Sequence, residues 1–261
     1  MSTPAVLLAG VKNPLKVGDG TNKSVRGDGL GIQYVKNAVP TKHTLAEMGA
    51  YFTALNATPG TAIAPNALVG AFSDTNSFAL IQNTSTPGAG GGTYIYPDFL
   101  RLILGTASTT NTALRFLTRI WPAGTNPLLA ATPGTTLTNN VTNTLPNGTP
   151  ANASVAKITM YANGNAFTTL ASANLGVRPI DNPVIDCGVM VVNDTYILQW
   201  GTNDMQQKPG TTAARATDTA TLVANTVPVG IGPGETLQIQ MWQPSGVTAP
   251  AFEYGLGWWE L

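Results

Sequence analysis

Few side chains in this chain could move protons or hold a metal. His43 is the only histidine and Cys187 the only cysteine. A nucleophile–base relay needs a base held beside an activated hydroxyl or thiol. His43 lies in Lys42-His43-Thr44, and no Gly-x-Ser-x-Gly elbow occurs anywhere, so a surface histidine is expected. One His and one Cys cannot build a tetrahedral zinc site without help from scattered carboxylates. Glycoside hydrolysis needs two carboxylates facing one another. The thirteen acidic residues, from Asp19 to Glu260, fall mostly at turns and strand ends, and no pair stands out. No enzyme activity is therefore expected, with no catalytic residue, cofactor or metal.

Other motifs reduce to turn chemistry. Gly88 to Gly92 has no lysine or helix start after it, so it reads as a hairpin tip rather than a phosphate cradle. Arg26-Gly27-Asp28 and the Gly-Asp-Gly triplets at 18–20 and 27–29 suit turns, and Asp19 with Asp28 lacks the spacing of a calcium loop. The Asn-x-Ser/Thr sites follow from a composition full of Asn and Thr. Cys187, inside Ile185-Asp186-Cys187-Gly188-Val189, reads as a small buried hydrophobe.

The elements that would position any site are strands. Leu237, Ile239 and Met241 alternate with Gln238 and Gln240, the period of a half-buried strand. Comparable runs, rich in branched and aromatic residues and bounded by turn formers, occupy 67–73, 77–83, 99–106, 113–121, 155–161, 185–192, 195–200, 222–229 and 252–260. Asn193-Asp194 reads as a two-residue hairpin loop. Thr44 and Glu47 fit a capping box with Leu45, Met48, Phe52 and Leu55 at helical spacing, although Gly49 weakens a helix and Tyr51 to Thr53 would serve equally in a strand. Two stretches, about 122–152 and 201–221, read as long surface loops.

The resulting expectation is an all-β, jelly-roll β-sandwich over 66–261 with an extended N-terminal arm over 1–65. Ordering an arm residue costs roughly 1–2 kcal/mol, which burial of some ~40–80 Å² of apolar area offsets. Val6, Leu7, Leu8, Val11, Leu15, Ile32 and Tyr34 could supply part of it, which places the arm at an interface. Trp258 and Trp259 must point to opposite faces of their strand. At least one then faces away from the interior, where a neighbouring subunit would cover it or a sugar would stack.

Bulk composition agrees. Only 10% of the 261 residues are charged, and thirteen basic residues balance thirteen acidic ones. No nucleic-acid or membrane-surface partner is expected from that balance. A near-zero charge favours self-association, as inside an assembly. No signal peptide and no membrane span are expected.

Taken together, Ala79-Leu80-Ile81-Gln82-Asn83, Phe99 to Leu104, the turn-to-strand Gly232 to Leu237 and the ending Phe252 to Leu261 give the chain from Asn66 a pattern. It resembles single jelly-roll virion proteins of tailed bacteriophages. The last two segments are also similar to the closing strands of tumour-necrosis-factor-like and C1q-like trimers. The resemblance implies a structural role: a capsid decoration (cement) protein on the capsid surface of the virion, made in the host cytoplasm. Its partners would be the major capsid protein and, in a homotrimer, its own copies. The alternative it implies is a trimeric tail or fibre module that binds host-surface carbohydrate.

Overall fold

The final strand, β15 (Ala251–Glu260), lies in the middle of a sheet, between β3 (Tyr51–Leu55) and β5 (Ile95–Thr106). The computed structural model describes residues 23–27, 33–37, 42–56, 58, 60–65, 77–86, 92–107, 112–124, 136–138, 140–145, 153–161, 176–201, 219–243 and 249–261. The chain divides into two units, Met1–Leu45 and Ala46–Leu261. In the first, β1 (Lys23–Gly27) and β2 (Gln33–Asn37) form an antiparallel ribbon. A short helix, α1 (Lys42–Glu47), spans the division.

The second unit is an all-β sandwich, as its alternating pattern predicts. Its first sheet runs β10 (Arg178–Asp181), β6 (Thr112–Trp121), β14 (Thr236–Trp242), β4 (Ala79–Asn83), β9 (Ala156–Tyr161), β7 (Thr136–Thr138). β11 (Val184–Gly188) pairs with β6 beside β10. The second sheet runs β13 (Thr221–Thr226), β12 (Thr195–Trp200), β5, β15, β3, β8 (Asn140–Asn143). Every pairing is antiparallel except that of β12 with β13. β3, β5, β12 and β15 of one sheet interleave along the chain with β4, β6 and β14 of the other, so many links cross the sandwich.

The core fills the space between the inner faces. Phe116, Ile120, Leu237 and Ile239 from the first sheet meet Leu100, Leu102, Tyr196, Phe252 and Trp258 from the second, all buried. Tyr196 and Phe252 meet edge to face at 6.0 Å. At one end Glu260, itself buried, accepts the Trp258 indole N–H (3.0 Å) and the Val155 N–H (3.0 Å), tying the end of β15 to the strand that starts β9.

Several expectations are corrected. The sandwich begins at Ala46, so 46–65 is not arm: Phe52 and Ala54 of β3 lie in the core, and Ile63 bridges to Phe252. The helical and strand readings of 44–55 were both partly right, because Gly49 (φ 68) ends α1 and its N–H returns to Ala46 C=O at 3.0 Å. The aromatic and branched residues after it then pair as a strand. The supposed loop 122–152 holds β7 and β8, one at the edge of each sheet and one residue apart, so the chain steps there from one sheet to the other. Asn193-Asp194 is not a hairpin loop, since β11 and β12 lie in different sheets. Asn193 (φ 74) is the only non-glycine residue with positive φ among those described. Asp194 accepts the N–H groups of Val191 (2.9 Å) and Ala220 (2.7 Å), fixing this cross-sheet turn. β11 stops at Gly188, four residues short of the expected strand end. β5 starts four residues earlier than expected, because Asp98 is an extra residue between the pairs Gly257–Phe99 and Trp258–Pro97. The expected strand 67–73 and most of 201–221 lie outside the described residues.

Candidate functional site

Two outer faces flank this sandwich, and they differ in kind. On the first sheet a cluster of outward residues of β6 and β14 is polar but buried: Arg119 is 7% exposed, and Gln238 and Gln240 are 1% exposed each, whereas Leu117 and Trp242 are half-buried and Arg115 is exposed. The Trp121 indole donates to Gln238 Oε1 (2.8 Å), whose amide donates to Ser77 Oγ (2.5 Å). The Arg119 guanidinium donates to Gln240 Oε1 at 2.6 Å. Buried amides persist only with such partners. This part of the face is closed.

The outer face of the second sheet is apolar and partly open. In register across β5, β15 and β3 stand Tyr96, Trp259 and Tyr51. Tyr96 stacks on Trp259 (5.9 Å, 15° between planes) and on Tyr94 (6.4 Å, 28°). Trp259 and Tyr96 are half-buried, and Tyr94 is 45% exposed. The next row is Phe99, Gly257 and Thr53. A Cβ on Gly257 would lie 2.4 Å from Phe99 Cε1 and 2.7 Å from the Tyr51 hydroxyl, so both side chains lean over this bare stretch of β15. One row on, Arg101 and Leu55 flank Gly255 in the same way, and Leu55 is 50% exposed. Ile103 and Ile197 continue the apolar surface, half-buried, toward β12.

Beneath the aromatic row the Tyr51 hydroxyl donates to Asp98 Oδ2 at 2.6 Å. Burial, and then the Asp98 carboxylate, push the Tyr51 phenol far above its ordinary value. Behind it, Asn83 holds two loops. Its amide donates to the carbonyls of Thr93 (2.7 Å) and Ile231 (2.9 Å), the neighbours of Tyr94 and of the glycines 230 and 232 against which Tyr96 and Tyr94 rest. The Asn83 side chain thus positions the open end of the stack.

The residues expected at an interface fare differently. Trp259 lies on the open face. Trp258 does not: it is fully buried, stacked on Phe52 at 6.0 Å, and belongs to the core. Tyr34 sits in β2 of the other unit. Val6, Leu7, Leu8, Val11, Leu15 and Ile32, like the side chain of His43, lie outside the described residues. Tyr94, Tyr96, Tyr51 and Phe99 were not singled out from the sequence. Tyr94-Ile95-Tyr96 already shows the period of two, but Pro97 disguised the strand. Among the described residues no group of three His, Cys, Asp or Glu side chains could hold a metal. Cys187 is buried, and burial pushes its thiol up to about 12, away from the reactive thiolate. No described helix is long and apolar enough to cross a membrane.

What this arrangement offers is a surface for contact: an aromatic-rimmed sheet face on a hydrogen-bonded scaffold. No family model, curated protein or solved structure matches the chain.

Proposed function

We propose that this chain is a structural virion protein of a bacteriophage, a capsid decoration (cement) protein that bridges neighbouring subunits of the major capsid protein. In this reading it is a homotrimer assembled through the outer face of its second sheet, on the capsid surface, with no cofactor. The observation that carries the reading is the open face itself. Tyr94, Tyr96, Trp259 and Phe99 form its aromatic end and Leu55, Ile103 and Ile197 its aliphatic part, with the charged Arg101 and Glu253 among them, while the polar cluster around Gln238 opposite is satisfied within a single chain. Exposed apolar patches of this kind mark association sites. The winding also supports it. We read the order β3–β15–β5–β12 against β4–β14–β6–β10 as a jelly-roll winding, a common architecture of viral shells. Trimers on a shell engage several neighbours at once, so individually weak contacts add to firm attachment.

The test is a paired charge on the open face. Leu55→Glu with Ile103→Glu should dissociate the assembly in light scattering while leaving thermal unfolding of the sandwich cooperative. A variant that stays associated contradicts the reading. Shell attachment is tested separately, by adding labelled protein to purified capsids and counting bound copies.

A second reading follows from Tyr94, whose ring ends the stack and is the most exposed of the three. A tail or fibre module would stack a host-surface sugar there. Glycan-array binding abolished by Tyr94→Ala would select it over the shell role.

A further inference from the structure

Whole-chain neutrality conceals a division. Residues 1–45 hold six basic residues and two acidic ones, a net +4, whereas 46–261 hold seven basic and eleven acidic, a net −4. The expectation of no nucleic-acid partner rested on the sum alone. The ribbon gives the basic unit a defined surface. Its register sets Ser24 opposite Lys36 and Arg26 opposite Tyr34. In a strand alternate residues share a face, so Ser24, Arg26, Tyr34 and Lys36 belong to one face of the ribbon, and Lys23, Val25 and Val35 to the other. One cation comes from each strand, and the two lie in adjacent rows about 6.8 Å apart along the ribbon, with an aromatic residue paired directly to the arginine.

We propose that the β1–β2 ribbon binds single-stranded nucleic acid. Cations tracking a phosphate backbone beside an aromatic platform for bases are the two components of such binding, and neither depends on sequence. The paired tyrosine favours this partner over an acidic protein surface, which would call on the cations alone. A second copy of the sandwich is a poor partner too. Of its eight described carboxylates, Glu47 and Asp186 are exposed, and Asp98, Asp194 and Glu260 are buried. Asp181, Glu235 and Glu253 are engaged by hydrogen bonds. Single strands are favoured over duplex because a stacked base pair offers no free face to Tyr34. A two-stranded ribbon is marginal alone, so a ligand spanning Arg26 and Lys36 also ties its strands together. The inference is independent of the shell role and of the open sheet face.

The test is fluorescence anisotropy of labelled dT20 titrated with the full chain from 50 to 200 mM NaCl. Binding is expected in the micromolar range at the lowest salt, with a log–log salt slope of about −1.4 for the two cations of that face. Arg26→Gln with Lys36→Gln should weaken it at least roughly tenfold and flatten the slope toward zero. Tyr34→Ala should weaken it roughly tenfold with the slope retained. An unchanged melting transition in each variant assigns the loss to the ribbon rather than to unfolding. Absence of binding at 50 mM salt, or binding indifferent to both variants, overturns the proposal. So does displacement of dT20 by an equal charge of polyglutamate together with no effect of Tyr34→Ala, an outcome that assigns the ribbon to an acidic protein instead.

Discussion

The two outer faces of the sandwich are built from strands of similar pattern and end in opposite states. On β14 six consecutive residues are buried although Gln238 and Gln240 alternate with Leu237, Ile239 and Met241. On β15 the outward positions carry Glu253, Gly255, Gly257 and Trp259, and around them half-buried aromatic and aliphatic side chains stand partly open, with Arg101 among them. Alternation therefore reports which residues share a face. It does not report whether that face is wet. A polar face was closed by giving its amides partners, and an apolar one stayed open, which is the signature of a surface awaiting a neighbour.

The sharpest way to break this comparison is at the adjacent tryptophans. Trp258→Ala empties a fully buried ring site and removes the indole partner of Glu260, so it should cost about 3–5 kcal/mol in denaturant unfolding. Trp259→Ala, one residue away on the open face, should cost far less folding stability but weaken self-association. Equal losses of stability would erase the distinction between inside and outside.

On the closed face, Gln238→Ala leaves the Trp121 N–H and Ser77 Oγ without their partner. Such a loss costs about 1–3 kcal/mol. Exposed polar residues at equivalent positions would cost nearly nothing, so chemical denaturation distinguishes a truly closed face from a solvated one.

Alkali probes burial more broadly. Burial raises the Tyr254 phenol from 10.0 to about 12 and the Cys187 thiol from 9.0 to about 12. The unfolded chain releases these protons first. The stability they contribute is therefore intact below pH about 9 and lost as pH rises toward about 12. A melting temperature flat between pH 7 and 8.5 and falling steadily above pH 9 is expected; Tyr254→Phe should soften the fall above pH 10.

The smallest effect concerns Thr236, buried in β14 with a hydroxyl that makes no hydrogen bond among the described residues. Thr236→Val should be neutral or stabilise by up to about 1 kcal/mol, measured by thermal unfolding.

Much of the fold was legible because it rests on local pattern. The strands β6, β9, β12, β14 and β15 fall within a residue or two of where alternation and turn residues put them. What escaped was set by long-range pairing. β7 and β8 are short Thr- and Asn-rich segments with no apolar signature, and only the sheet edges they meet make them strands. β10 begins Arg178-Pro179 and reads as a turn. The site was half legible: the face rule put one of Trp258 and Trp259 outside, without saying which. Tyr96 and Tyr51, the partners of Trp259, were missed because the bulge at Asp98 and the glycine stop at Gly49 hide the registers that bring them together.

The association state of the purified chain tests the central claim most directly. Light scattering at micromolar concentration should give about 81 kDa, three times the 27.1 kDa of one chain, falling to one chain's mass when Leu55 and Ile103 are both changed to Glu. A wild-type protein that stays at 27.1 kDa across the accessible concentration range would contradict the account, because its open aromatic face would then have no copy of itself to cover it.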